Sequence, residues 1–156
     1  MTQSENQTAL GALLVSKQGF GCMGLSHSYG QADETSSLET IARAIDLGIT
    51  FFDTADIYGT GHNEALLGRA IAGKRDRLVI ASKFGNRLDR EVSGRTLDGS
   101  PSYVRSAIDE SLRRLAIDRI EESAFTPGST VGERYPPQMA VNVPPTPKRF
   151  LQEQYK

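Results

Sequence analysis

Only one cysteine, Cys22, occurs in the 156 residues, so no disulfide can form within the chain, and a reducing compartment is the expectation. Histidine is nearly as scarce. His27 and His62 are the only two, which leaves little room for a metal site, and both are expected as solvated loop residues with no metal bound. No basic run stands out: Lys plus Arg number 18 against 19 Asp plus Glu, for a net charge of −1, and nothing marks a surface for nucleic acid or anionic lipid. No apolar stretch approaches the roughly 18 residues needed to span a bilayer. The opening MTQSENQTAL also has neither the basic nor the apolar region of a signal peptide. The expectation is therefore a cytoplasmic globular protein that works on small molecules, with no nucleic acid and no membrane among its partners.

What is present is an alternation of strand and helix patterns. LLVSKQGFGCMG reads as a first strand ending in a glycine turn. SSLETIARAIDLG reads as an amphipathic helix, with Ser36 and Glu39 as capping box, Leu38, Ile41, Ala42 and Ile45 on one face, and Gly48 as stop. ITFFDTA is a β-branched and aromatic run of strand length that ends in the polar segment DIYGTGH. A second helix follows, with Asn63 as cap and Gly73 closing it. RLVIASKFG is a near-continuous apolar strand of the kind buried in a parallel sheet. The charged loop NRLDREVSGRTLDG leads to a third helix from about Ser102 to Leu115. It turns Val104, Ile108, Leu112 and Leu115 inward, and Asp109/Arg113 and Glu110/Arg114 outward as ion pairs.

Three such alternations predict an α/β fold with a parallel sheet. The order is clean to residue 120, which sets a domain over 1–120. Six of the seven prolines (Pro127, Pro136, Pro137, Pro144, Pro145, Pro147) then fall within a stretch without sustained period, so 121–156 is expected to be an irregular, partly disordered tail.

Polar residues at the C-terminal ends of parallel strands are where active sites of α/β folds gather. Two such ends stand out, Asp53 to Tyr58 and Lys83. A phenol gives up a proton well at neutral pH only beside a cation that steadies the phenolate, and Lys83 could be that cation. A lysine among the apolar residues LVIAS would itself need a carboxylate to stay charged, and Asp53 ends the adjacent strand. Asp53, Lys83 and Tyr58 thus form a candidate proton relay. GFGCMG also satisfies G-x-G-x-x-G, the dinucleotide fingerprint of another α/β fold, but LSHSYGQADETS intervenes before the first helix where that motif would open it directly. Cys22 and Met23 read as core fillers, Tyr29 and Tyr103 as surface packing, and Asn63 and Glu64 as cap and loop-fixing residues.

GFGCMG, DLGITFFDTADIYGTGHNEALLGRAI, LVIASKFG and SLRRLAIDRI together resemble the first three βα units of the aldo-keto reductase family, in order and spacing, over about residues 10 to 120. The resemblance implies a partial TIM (β/α)8 barrel of about three βα units, and an enzyme that uses NADPH to reduce an aldehyde or ketone. It implies Tyr58 as proton donor, Asp53 and Lys83 as its tuning partners, and backbone contact of Gly21, Cys22 and Met23 with the nicotinamide. The chain departs from the family in one catalytic residue, a histidine at the end of the fourth strand: IDRI here runs into EESAFTPG, and no histidine follows His62. GERYP near residue 132 resembles the family's extreme C-terminus, so an internal deletion after the third unit is expected. Three units do not close a barrel, and the third strand is expected to keep an open edge suited to self-association. The contrasting expectation is a non-catalytic fragment that acts as an interaction module.

Overall fold

The computed structural model describes residues 6–26, 33–89, 94–125 and 140–142. A small antiparallel hairpin comes first, β1 (Gln7–Leu10) and β2 (Leu13–Ser16), turning at Gly11, where φ is +59°. The chain bends at Lys17 and Gln18 and enters β3 (Gly19–Gly21). The single strand expected over LLVSKQGFG is therefore divided, since the sheet needs only its last three residues. Paired bonds between Ser16 and Thr50, backbone N–H to side-chain oxygen in both directions at 2.8 and 2.9 Å, tie the hairpin to the segment that enters the next strand.

From there α1 (Glu34–Asp46), β4 (Phe51–Asp53), α2 (His62–Ala70), β5 (Val79–Phe84), α3 (Pro101–Leu115) and β8 (Glu122–Phe125) follow in order, with a hairpin, β6 (Asn86–Asp89) and β7 (Gly94–Leu97), inside the stretch expected as a loop. Strands β3, β4, β5 and β8 lie side by side in chain order, all parallel. Consecutive parallel strands joined by helices on one face form an arc of a (β/α)8 barrel.

The helix caps differ from the sequence expectation. Asp33, not Ser36, caps α1, its carboxylate accepting from the Ser36 N–H at 2.8 Å. Both residues are good caps, and the earlier one wins because the helix gains most of a turn. Helix α2 begins after Gly61, in left-handed conformation, which leaves Asn63 inside the first turn and free for other bonds. His62 is the first residue of α2 rather than a loop residue, its ring between Ser26 Oγ and Glu34 Oε1 at 3.2 and 2.8 Å. His27, Tyr29 and the GERYP segment lie outside the described residues.

Period-two alternation turns Phe20, Phe52 and Ile80 toward the helices, where they pack with Ile41, Ile45, Leu67, Ile71 and Leu115 in one apolar cluster. Each such aliphatic or aromatic side chain contributes about 1.5–3 kcal/mol when fully buried. Helices α2 and α3 approach closely because residue 68 is glycine: a Cβ there would stand 2.4 Å from the Leu115 carbonyl oxygen. The expected open edge of the third strand is not found. Strand β8 pairs with β5, and β9 (Ala140–Asn142) pairs antiparallel with β8, so two short strands stand in the stretch expected to be irregular. Among the described residues no helix is long and apolar enough to cross a membrane.

Candidate active site

The same alternation that buries Phe52 and Ile80 sends their neighbours to the opposite face of the sheet. Gly21 is in register with Asp53, and Asp53 with Ala81, so Lys83, two residues on, shares their face at the C-terminal ends of the strands. The Lys83 ammonium donates to Asp53 Oδ1 at 2.5 Å and to the Thr54 carbonyl at 2.9 Å. Burial opposes its charge, but the Asp53 carboxylate and the Tyr58 oxygen outweigh that cost and hold Lys83 above the ordinary lysine range. The Tyr58 ring lies against it, with Nζ 5.2 Å from the ring centroid. The three residues of the expected relay are thus brought together, although 30 positions separate Asp53 from Lys83.

Cys22 is fully buried in the core, and burial, reinforced by the Asp53 charge, pushes its thiol up to about 12. It is a packing group, as expected, and offers the strand end only its backbone. Met23 is 37% exposed rather than a core filler. The 3₁₀ turn Cys22–Leu25 buries Cys22 and leaves its neighbour outside.

Sequence reasoning missed what holds these pieces in place. Asn63, read as a helix cap, is buried and ties three segments: its amide donates to the Cys22 carbonyl at 2.8 Å and to Ser26 Oγ at 2.9 Å, and its oxygen accepts from Thr54 Oγ1 at 2.7 Å. The ends of β3 and β4 are fastened to the start of α2 through this one side chain. Glu64 is fully buried, accepting from Ser82 Oγ at 2.7 Å and from Arg114 Nε at 2.6 Å. Arg114 also makes the expected pair with Glu110 at 3.1 Å, but its main partner lies inward. A polar residue beside LL on a helix gives no sign of whether it faces out or in, so only the pairing partner could have revealed it. Among the described residues no group of three or more His, Cys, Asp or Glu is placed to hold a metal.

An arc of parallel βα units with an Asp–Lys pair and a tyrosine at the strand ends defines the class, the (β/α)8-barrel proteins that carry their chemistry at that face. The chain belongs to the Aldo/keto reductase family, whose sequence pattern matches residues 17–122. It is 42% identical over 105 residues to the aldo-keto reductase yakc [NADP(+)] of Schizosaccharomyces pombe, covering 66% of this chain and 31% of that protein. A Glycine max relative of the same family is 44% identical over 109 residues, covering 69% of this chain and 31% of its own length. The chain therefore spans about a third of the curated relatives it matches. Among solved structures, the holo form of an aldo-keto reductase from Bacillus halodurans superposes with a TM-score of 0.71 at 37% identity, over 80% of this chain and 41% of that one. An aldo/keto reductase from Klebsiella pneumoniae in complex with NADP and acetate superposes with a TM-score of 0.56 at 26% identity, over 72% and 35%.

Proposed function

We propose that this chain carries the proton-donating part of an NADPH-dependent reductase of aldehydes or ketones. The observation that supports it best is the Lys83 ammonium, bound to Asp53 and lying against the Tyr58 ring at the strand ends. The residues beside this pair fit a nicotinamide. A Cβ at Gly21 would meet no heavy atom within 4 Å, so the strand end is open there, and Met23 is exposed next to it. Gly21, Cys22 and Met23 would hold the ring by their backbone, with Asp53 beside it. When bound, NADPH supplies the hydride.

In this reading Tyr58 donates its phenolic proton to the carbonyl oxygen as charge develops there. Lys83 steadies the phenolate left behind, because its positive charge is held close and partly out of water. Asp53 keeps the lysine charged and fixes its direction, and the Thr54 carbonyl fixes it further. A second reading, a chain that keeps this fold without turnover, is favoured by the absence of any histidine after His62.

The test is NADPH consumption with reactive aldehydes and quinones, comparing the protein with Tyr58→Phe. A general acid contributes about 10²–10⁴-fold, and the variant is expected to lose that much. No turnover, or turnover unchanged by the substitution, favours the second reading.

A further inference from the structure

Asn63 is 1% exposed in the first turn of α2, and Thr54 beside it is 0% exposed, so bulk water does not compete for the bond between them. A side-chain amide donates twice and accepts, and here both donors and the acceptor are engaged at the strand ends. The oxygen takes Thr54 Oγ1 at 2.7 Å, while the nitrogen gives to the Cys22 carbonyl and to Ser26 Oγ. The backbone N–H of the same residue donates to the Tyr58 carbonyl at 3.2 Å. One bond further on lies the relay itself. The Thr54 carbonyl accepts the second hydrogen bond of the Lys83 ammonium, and the Cys22 carbonyl belongs to the backbone that the proposed reductase sets against the nicotinamide. The backbone alone holds the Thr54 carbonyl only from its flanks. The Thr54 N–H donates to the Ala81 carbonyl at 2.9 Å and the Asp56 N–H to the Lys83 carbonyl at 3.1 Å, bonds of the two neighbouring peptides. The tilt of the peptide between Thr54 and Ala55 therefore depends on how the Thr54 side chain is held. The Asp56 carboxyl, which burial and then the Glu64 charge push up to about 6, is turned instead to the Tyr103 hydroxyl on α3.

We propose that Asn63 is a positioning residue for proton donation, its carboxamide fixing the Lys83 ammonium, through Thr54, and the backbone at Cys22 in one frame. The proposal rests on the reductase reading of the strand ends. An amide suits this task because it accepts and donates at once. Aspartate in its place keeps the acceptor for Thr54 but loses both donors and brings a charge into a buried slot, and an apolar residue releases all three partners. The spacing it holds matters because phenol, lysine and nicotinamide act together on one carbonyl, and a misplacement of about 1 Å can cost about 100-fold in rate. A residue that served the fold alone would change stability and leave the lysine as it is.

Two variants of the full chain separate the arms of the amide. Thr54→Val keeps the shape of the side chain and removes the hydroxyl, which loosens the lysine arm alone, whereas Asn63→Ala releases both arms. Gly68→Ala, which disturbs the contact of α2 with α3, is the control for lost stability. The first readout needs no turnover: the rate at which acetic anhydride acetylates Lys83 at mildly alkaline pH, measured by mass spectrometry against Lys17 and Lys74 of the same chain. A Lys83 held less firmly as an ammonium reacts faster. The rise is expected to be about tenfold in Thr54→Val and Asn63→Ala, the factor that one pKa unit represents, with the parental rate in Gly68→Ala and in Thr54→Ser, which keeps the hydroxyl. An unchanged rate in Thr54→Val, or an equal rise in Gly68→Ala, overturns the proposal. The second readout is NADPH consumption with a reactive aldehyde. Thr54→Val is expected to lower kcat by about tenfold at unchanged KM for NADPH, and Asn63→Ala to lower kcat and raise that KM by a similar factor. An unchanged KM in Asn63→Ala overturns the joint role. A parent chain that consumes no NADPH sinks the reductase reading, while the Lys83 rate still decides for or against Asn63. Should Asn63→Ala fail to fold, Thr54→Val and Thr54→Ser carry the test.

Discussion

A carboxyl group that titrates near neutrality in the folded state changes stability with pH, and Asp56 is such a group. Its folded value is about 6 against an ordinary 3.8, the raised direction, so the folded chain holds the proton more tightly than the unfolded chain. Stability contributed by this group is therefore highest below its unfolded value and falls as pH rises toward its folded one. Asp56→Asn removes the penalty. Two pKa units would set an upper bound, and the side chain keeps part of its contact with solvent, so the gain at neutral pH is expected to be about 1 kcal/mol, with none in acid. Urea unfolding followed by circular dichroism near pH 7 and near pH 4 checks it. A gain of equal size at both would mean that the substitution acts through packing and not through charge.

The contact between α2 and α3 rests on two features that belong to the elements and not to single residues. One is the buried Glu64–Arg114 pair at 2.6 Å, with Arg114 19% and Glu64 0% exposed. The other is the glycine at 68, which lets the helix backbones meet. Glu64→Gln leaves the guanidinium with the exposed Glu110 as its carboxylate partner, beside the Ser111 hydroxyl, and breaking a buried pair from one side costs about 3 kcal/mol. Gly68→Ala drives a methyl into the Leu115 carbonyl, backbone that cannot rotate away, for about 1–3 kcal/mol. Unfolding midpoints should fall in both, and the double variant should lose less than the sum, because each change separates the same two helices. Strict additivity would show that the pair and the glycine support different contacts.

At the scale of the whole molecule the sheet presents edges, and edges are where chains stick to one another. Strand β8 is covered on its far side by β9, with Ser123 opposite Val141. Val141→Pro restricts the backbone in the middle of the three-residue β9 and is poorly tolerated within a strand, so it is expected to free the β8 edge and raise the self-associated fraction. Sedimentation velocity across a concentration series measures this. A variant that sediments as the parent does would mean that β9 does not guard that edge.

The order of the three helices and of strands β3, β4 and β5 was legible in the sequence because burial writes its pattern into the chain, whereas the two hairpins and β8 and β9 were not. Phe51 to Asp53 and Val79 to Phe84 follow from apolar, β-branched and aromatic runs of strand length, and the apolar faces of the three helices from spacing. The family resemblance added the pairing of Asp53 with Lys83, which spacing could only suggest. What the tertiary structure decided is which polar residues turn inward. Asn63 and Glu64 look like ordinary first-turn residues until the Cys22 carbonyl, Thr54, Ser82 and Arg114 are brought against them. Asp56 and Asn86, far apart in the sequence, line one cleft only because β4 and β5 are neighbours. Periodicity records how much of a side chain is buried, but a buried polar group is specified by its partner, and partners distant in sequence meet only in the fold.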